Sequence, residues 1–265
     1  MAPQTPRLEI FLFGPFEARR DGAPLPERAW GRKKTRDLCK ILLCERGRAF
    51  TQDQLIDLLY PEADPGKVVK NMRGRVSELR RALEPELARG PDSAYVRHAG
   101  QGYAFLAEAP CWVDAEAFER ALDEAQALAE TERWAQAQDA FERALALCRG
   151  EFLEDDPYEE WALDLRERWR QRRLDALEGL AACLAQQGQL REALGACGRA
   201  LQLAPSRESA YQLQMRLHHQ AGQRERALKA FDACAQALKD HLGVGPSPQT
   251  RSLQLQIRTG QLPEA

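Results

Sequence analysis

The fold is decided by residues 67–83, which read KVVKNMRGRVSELRRAL. Apolar side chains recur in this stretch every three or four residues, which is the spacing of one face of an amphipathic helix. The stretch also holds six Lys or Arg residues and a single acid, Glu78. The pattern predicts a helix whose buried stripe is Val68, Met72, Val76, Leu79 and Leu83 and whose opposite face presents Lys67, Lys70, Gly74, Ser77 and Arg81, flanked by Arg73 and Arg80.

Shorter elements flank this helix on both sides. Strand-forming residues, helical periodicity, a capping-box pattern and glycine-containing turns mark them in the sequence. In chain order they are one or two strands within residues 8–20, a helix between residue 32 and Gly47, a helix between Thr51 and Pro61, and a two-stranded hairpin within residues 95–106. Strands, three helices and a hairpin in this order predict a winged helix-turn-helix domain with an N-terminal sheet.

The cationic face of the third helix suits DNA. Lys and Arg neutralise phosphates, and they also hydrogen-bond to guanine edges in the major groove. A glycine in mid-helix costs about 1 kcal/mol relative to alanine, so Gly74 indicates a close approach of the backbone to a base or sugar. The alternative is a basic face that is merely solvated. The candidate DNA contacts on this helix are Lys67, Lys70, Asn71, Arg73, Gly74, Ser77 and Arg81.

Other elements add candidate DNA contacts. Thr51, at the start of the second helix, offers a hydroxyl and free N–H groups to a phosphate. Taken alone, Thr51 is better explained as an ordinary helix cap, and His98 as an exposed turn residue. Arg75 lies near the edge of the apolar stripe, so we expect it to pair within the protein. The remaining candidates are Arg97, His98 and Gln101 at the hairpin tip and Lys33 and Lys34 at the start of the first helix.

Beyond residues 107–110 the sequence becomes almost wholly helical. The motif Gly-Gln-x-x-x-Ala-Leu begins at Gly188 and again at Gly222, an offset of 34 residues, which is the tetratricopeptide (TPR) period. An earlier copy at residues 137–145 precedes a long charged insert, and three such hairpins are expected to stack. The predicted fold is mainly α with a small β component: a winged helix-turn-helix DNA-binding domain at residues 1–109, followed by an all-α TPR-like repeat domain at residues 110–265.

Composition excludes several classes of protein. The chain holds 38 basic and 40 acidic residues, but residues 1–109 sum to +4 and residues 110–265 to −6. No phosphate-binding glycine motif is present, and the adjacent His218 and His219 would point about 100° apart on a helix. The seven cysteines form no C-x-x-C pair. We expect no enzyme activity, metal, cofactor or disulfide framework and, without a leader or a membrane-length apolar run, a cytoplasmic protein.

An arginine-rich segment, residues 166–173 (RERWRQRR), surrounds one aromatic residue with five arginines. Such a combination can stack on a base and pair with phosphates, as a cyclic dinucleotide or another anionic second messenger requires. The alternative, which we favour, is an amphipathic helix whose arginines pair with local acids. The candidate ligand residues are Arg166, Trp169, Arg170 and Arg173.

Several motifs resemble those of a known family of regulators. From Leu8 to about Ile257 the chain resembles the SARP/AfsR-type regulators, which join an OmpR-type winged helix to a bacterial transcriptional activator domain. Two positions depart from the family pattern, because Glu78 replaces a basic residue and Gly74 a larger one. The motifs that carry the resemblance are VSELRRAL (residues 76–83), GQGY (residues 100–103), WVD (residues 112–114) and LGVGPSPQT (residues 242–250).

The resemblance implies a sequence-specific transcriptional activator that binds repeated sites in double-stranded promoter DNA as a homodimer. It also implies a contact with RNA polymerase, for which the loop Pro61–Gly66 is a candidate, and a signal that enters through the helical half. Two alternatives stay open: a TPR-type protein-interaction adaptor, and a cyclic-dinucleotide-responsive sensor. A steep loss of DNA affinity with salt would separate a DNA-binding protein from an adaptor.

Overall fold

The computed structural model describes residues 8–62, 65–86 and 93–262, with the backbone alone for residues 65–70. The chain divides into two compact units. The first comprises the chain up to Glu116 together with Arg149–Arg166, and the second comprises Ala117–Cys148 and Glu167–Ala265. Residues 149–166 therefore pack with the first unit, whereas the predicted domain limits, 1–109 and 110–265, assign them to the second.

A four-stranded sheet opens the first unit. β1 (Leu8–Phe11) is antiparallel to β2 (Glu17–Arg20) and parallel to β7 (Cys111–Val113), a strand from further along the chain. With β3 (Ala23–Pro24), the strand order is β3-β2-β1-β7. Asp21 and Gly22, between β2 and β3, both have a positive φ, 49° and 80°, as the favoured two-residue hairpin turn requires.

Three helices follow this sheet, as the sequence predicts: α1 (Lys33–Cys44), α2 (Gln52–Leu59) and α3 (Pro65–Leu83). Both α1 and α2 pack against α3. A capping box begins α2, because the Thr51 hydroxyl accepts the N–H of Gln54 and the Gln54 side chain accepts the N–H of Thr51. Where side chains are described, the predicted stripe of α3 is buried, at Met72, Val76, Leu79 and Leu83.

A three-stranded antiparallel sheet, in the order β4-β6-β5, completes the first unit: β4 (Phe50–Thr51), β5 (Val96–Ala99) and β6 (Gly102–Phe105). Strands β5 and β6 are the predicted hairpin, which forms the wing. Gly102 is required at the edge of β6, because a Cβ atom there would lie 1.7 Å from the carbonyl oxygen of Phe50. The predicted winged helix-turn-helix, with its N-terminal sheet, is confirmed.

The rest of the described chain is helical. The first residues of α7 and α9 lie 34 residues apart, as the predicted TPR period requires. Ala137, Ala193 and Ala227 occupy equivalent places in α5, α7 and α9, and all three are fully buried. The helices are α4 (Asp114–Glu130), α5 (Trp134–Leu147), α6 (Glu160–Gln186), α7 (Leu190–Leu203), α8 (Glu208–Gln220), α9 (Arg224–Leu242) and α10 (Pro248–Thr259).

The turns before α5, α7 and α9 share one backbone conformation. Each contains a residue with positive φ, namely Glu132, Gly188 and Gly222. The residue that follows each of them donates its N–H to the carbonyl oxygen five positions earlier, as in the left-handed caps that commonly end a helix. Glu132 stands where the other two repeats have glycine. The first repeat therefore has the same turn without the Gly-Gln signature.

Residues 149–166, called here the inserted segment, lie along the N-terminal sheet. The N–H of Gly14 donates to the Glu151 carbonyl oxygen at 2.7 Å, and the N–H of Leu153 donates to the Leu12 carbonyl oxygen at 2.8 Å. The rings of Phe13 and Phe152 meet edge to face, with 5.6 Å between their centroids. These contacts place the segment in the first unit, although the chain reaches it only after α5.

A fully buried ion pair fixes the inserted segment to α1. The Lys40 ammonium donates to the Asp156 carboxylate, and neither side chain is exposed to solvent. The Phe16 ring centroid lies 5.1 Å from the Lys40 Nζ. Asp37, one turn earlier on α1, is also fully buried, and burial raises the pKa of its carboxyl. Buried charges are tolerated only when paired, so α1 requires the inserted segment.

Asp114 holds the end of β7 beside the end of β1. Its carboxylate accepts the N–H groups of Leu12 and Phe13 at 2.8–3.0 Å and that of Ala115 at 2.7 Å. Burial raises the pKa of Asp114 to about 6, against the effect of these three donors. The bonds fix the chain where it leaves β1 and where it enters α4.

Removal of one partner of the buried pair is expected to cost more than removal of both. Lys40→Met leaves the Asp156 carboxylate buried without a cation, at a cost of about 3–5 kcal/mol. Lys40→Met combined with Asp156→Leu removes both charges, so the part of that loss that comes from Asp156 is expected to return, while the buried Asp37 still lacks the Lys40 ammonium that favours its charged form. Urea unfolding measures the free energies. A double variant no more stable than Lys40→Met would contradict the pairing.

Candidate nucleic-acid interface

Helix α3 presents a polar face to solvent opposite its buried stripe. The side chains of Lys67 and Lys70 lie outside the described residues, so their contacts with DNA stay a prediction. Within the part of α3 whose side chains are described, Arg73 and Arg81 are the exposed cations. The predicted contact residues that the structure places on this exposed face are Asn71, Arg73, Gly74, Ser77 and Arg81.

The two exposed arginines of α3 keep hydrogen-bond donors free for a partner. Arg73 makes no ion pair or hydrogen bond with the described residues. Among the residues that the structure describes, Arg81 bonds only to Ser77, one turn earlier: its Nε donates to the Ser77 carbonyl oxygen at 3.2 Å and its Nη2 to the Ser77 Oγ at 3.4 Å. A guanidinium carries five N–H donors. Both side chains can therefore pair with phosphate or with a base edge.

Gly74 has no structural role inside the protein. It lies in a helix without the positive φ that would favour glycine, and a Cβ atom built on it meets nothing within 4 Å. Gly102, in contrast, is required by the backbone of Phe50. Alanine is therefore expected to stabilise α3 at position 74, as it is at the equally open Gly195 and Gly198 of α7.

The other two described cations of α3, Arg75 and Arg80, are engaged within the protein. Arg75 is buried and pairs with Glu78 at 2.7 Å, and the hydroxyl of Thr35 on α1 donates to the same carboxylate. The internal pairing expected for Arg75 is confirmed. Arg80 donates from Nε to the Val96 carbonyl oxygen at 2.9 Å and so ties α3 to the wing. Glu78, where the family resemblance leads one to expect a basic residue, serves these internal contacts.

The wing tip meets the beginning of α2. The N–H of Gln52 donates to the carbonyl oxygen of Gln101 at 3.3 Å, which brings Thr51 close to the wing. Thr51 is exposed, and its hydroxyl remains able to donate a hydrogen bond to a phosphate while it caps α2. Arg97, His98 and Gln101 are exposed as well. The structure therefore brings Thr51 and the wing residues together on one surface.

Lys33 and Lys34 do not extend this surface as free cations. The Lys33 ammonium lies 2.6 Å from Glu159 of the inserted segment, and the Lys34 ammonium lies 3.9 Å from the same carboxylate and 3.6 Å from Asp37. The hydrogen bond from Lys33 lowers the pKa of Glu159. The sequence did not reveal this partner, because Glu159 is far from both lysines in the chain.

The arginine-rich segment offers no stacking platform for a nucleotide. Trp169 is buried and packs edge to face against Phe118, with ring centroids 5.9 Å apart. Arg170 pairs with Glu167 at 2.9 Å. Arg166, which belongs to the first unit, donates to two carbonyl oxygens of the inserted segment. Arg173 lines a cleft of about 210 Å³ together with three leucines, Arg199 and Gln202. The favoured interpretation, arginines engaged by local groups, agrees with this geometry.

The described ranges hold neither a candidate metal cluster nor a disulfide. No group of three or more His, Cys, Asp or Glu residues there is placed to hold a metal ion, and none of the seven cysteines forms a disulfide. Burial raises the pKa of the Cys111 and Cys197 thiols to about 12. In the same ranges, no helix combines the length and the apolar character that crossing a membrane requires.

Comparison with known proteins gives consistent matches. The model of the family described as "Bacterial transcriptional activator domain" matches residues 113–258. The regulatory protein AfsR of Streptomyces coelicolor is 32% identical over 255 residues, which cover 94% of this chain and 24% of AfsR. The regulatory protein DnrI of Streptomyces peucetius is 26% identical over 251 residues, which cover 93% of this chain and 90% of DnrI. The chain thus spans about a quarter of AfsR.

A solved structure shares the fold. Mycobacterium tuberculosis EmbR, determined in complex with a low-affinity phosphopeptide, superposes with a TM-score of 0.85 at 24% sequence identity. The match covers 97% of this chain and 66% of the EmbR chain. The mainly helical fold with a small N-terminal β component is therefore shared with a regulator of known structure.

The pairing of Lys33 with Glu159 has a measurable effect on titration. Because the Glu159 pKa is lowered from 4.5, the stability from this pair is present above pH 4.5 and lost as the pH falls through the lowered pKa. Lys33→Met is expected to raise the Glu159 pKa toward 4.5, as measured by NMR titration of its carboxyl. Arg36→Met is the control, since Arg36 contacts Glu27 instead. A Glu159 pKa that Lys33→Met leaves unchanged would mean that Lys33 is free.

Proposed function

Because the chain belongs to the bacterial transcriptional activator domain family and is a SARP-type transcriptional regulator, we propose that it binds double-stranded promoter DNA through α3 and the wing. Helix α3 enters the major groove, which is wide enough to admit one helix. The wing tip and the beginning of α2 contact the adjacent backbone and minor groove. Transcription is activated from the site so occupied.

The main support for this proposal is that position 74, on the exposed face of α3, is a glycine. A glycine in mid-helix weakens α3 by about 1 kcal/mol relative to alanine. Because the space around the Cα of Gly74 is open, no packing contact with the described part of the chain offsets this loss. Direct contact between a helix backbone and the floor of a groove requires a residue without a side chain at the point of closest approach. Gly74 lies between Arg73 and Ser77 on the exposed face, where such an approach would occur.

Electrostatics supports the same surface. Arg73, Arg81 and Arg97 are exposed, and the first 109 residues carry a net charge of +4 although the whole chain carries −2. Phosphate contacts by such side chains position a protein on the duplex, and base contacts from the same helix give sequence preference. Lys67 and Lys70 would add to the positive charge at the beginning of α3.

Activation requires a contact with RNA polymerase as well as with DNA. The resemblance to SARP-type regulators supports such a contact, and the turn between α2 and α3 is the part of the helix-turn-helix left free for it when α3 lies in the groove. Neither a homodimer on DNA nor a second messenger gains support from the relatives or from the geometry, and the proposal includes neither.

Gly74→Ala separates stability from DNA binding. The substitution is expected to raise the free energy of unfolding by about 1 kcal/mol, yet to weaken binding to DNA fragments that the protein selects from a random pool by about tenfold or more, since 1.4 kcal/mol of lost contact is tenfold. Fluorescence anisotropy and urea unfolding measure the two effects. Gly198→Ala in α7, where the added Cβ is equally open, is the control for stabilisation alone. A Gly74→Ala protein with wild-type DNA affinity would rule out the close approach.

The salt dependence of binding tests the role of the exposed arginines. Each phosphate contact contributes about one unit to the slope of log affinity against log salt concentration. Arg73→Ala is therefore expected to weaken DNA binding and, if its partner is a phosphate, to reduce that slope by about 1. Arg191→Ala, an exposed arginine of α7, should change neither. A protein that selects no DNA from the pool would favour the adaptor alternative.

A further inference from the structure

We propose that the inserted segment is a docking surface for a basic protein partner, held in the same compact unit as the helix-turn-helix. The inference rests on the proposed function and deepens it, because the partner would be a part of the transcription machinery that binds while the protein occupies DNA. Tyr158 and Leu163, five residues apart in the chain, are its exposed apolar side chains, and exposed acids flank them in the sequence.

The apolar part of the surface is unusual for its exposure. Tyr158 is 91% exposed and Leu163 is 48% exposed. Among the described residues of the first unit, these two are the only large apolar side chains exposed to this degree. Exposed apolar residues that cluster and are rimmed by polar groups mark interaction sites, and tyrosine is enriched among the residues that dominate binding energy.

The inserted segment is rigid around these side chains. The buried pair of Lys40 and Asp156 lies two residues before Tyr158, and Arg166 holds the carbonyl oxygens of Phe152 and Leu153 at 2.9 and 2.8 Å. An immobilised surface loses little conformational entropy when a partner binds. Tyr158 itself contributes little to the folded unit, since its ring is left in solvent.

The charge of the inserted segment indicates which class of partner it binds. Residues 149–166 hold seven acids and two arginines, and Glu154, Asp155, Glu160 and Asp164 are exposed. DNA would be repelled by this surface. A basic protein surface would be attracted, because complementary charge steers association and selects among partners. The occupant is therefore a basic protein surface with an apolar pocket that receives Tyr158.

The docking surface adjoins the C-terminal end of α2. Glu159 contacts Lys34, and the Lys34 ammonium lies 5.9 Å from the centroid of the Tyr60 ring. Tyr60 caps the C-terminal end of α2. A partner on the inserted segment would thus lie beside the part of the helix-turn-helix that the proposed function leaves for RNA polymerase. The segment extends that contact with an apolar anchor.

The test measures two affinities of the full chain separately. RNA polymerase holoenzyme from the source organism is the protein probe, bound to the immobilised chain in the absence of DNA; the selected DNA is the second probe, read by fluorescence anisotropy. The first double variant carries Tyr158→Ala and Leu163→Ala, and the second carries Glu160→Lys and Asp164→Lys. The matched controls are Leu255→Ala in α10, which is also 48% exposed, and Asp232→Lys, an exposed acid of α9.

Both double variants are expected to bind the holoenzyme tenfold or more weakly, because removal of an anchor residue typically costs that much affinity. Neither is expected to lose affinity for DNA. Both controls should behave as wild type toward both probes. The inference would be overturned if both double variants bound the holoenzyme with wild-type affinity, or if the wild-type chain did not bind the holoenzyme. Failure of the wild-type chain to select DNA would overturn the proposed function instead, while the holoenzyme measurement still decides the docking surface.

Discussion

The buried ion pair between Lys40 and Asp156 is the interaction on which the first unit depends. The two residues are 116 positions apart in the chain, yet each is the principal charge partner of the other in a region without solvent. An ammonium group could not remain buried on α1 without that carboxylate. The winged helix-turn-helix is therefore incomplete until the chain has passed through α4 and α5 and returned with the inserted segment. Its stability is linked to residues that local sequence would assign to the helical half.

Local periodicity made most of the fold predictable, and long-range pairing made the rest unpredictable. The stripe of α3, the capping box at Thr51 and the 34-residue repeat all leave a signal within a few turns of chain. The partner of Lys40, the Glu159 that engages Lys33 and Lys34, and the contact of Glu78 with Thr35 leave none. The first repeat is also harder to recognise in the sequence, because Glu132 adopts the left-handed conformation that glycine adopts in the other two repeats and the Gly-Gln motif is therefore missing. Exposed residues of α3 followed directly from its buried stripe, whereas the pairing of the flanking lysines could not.

In the proposed function, the first unit carries two surfaces of opposite sign. The exposed face of α3 and the wing tip are cationic and suit DNA, whereas the inserted segment is acidic and suits a basic protein. The near-neutral charge of the chain is the sum of such surfaces. A single unit that binds DNA on one surface and protein on another can hold a partner at the promoter without a change of conformation.

The central claim is that α3 and the wing lie against DNA. Ultraviolet cross-linking of the full chain to its selected DNA, followed by mass spectrometry of the attached peptides, tests this most directly. Cross-links are expected within residues 71–81 of α3 and residues 97–101 of the wing. Cross-links confined to the helical repeats α7 to α10, with none in α3 or the wing, would contradict the claim.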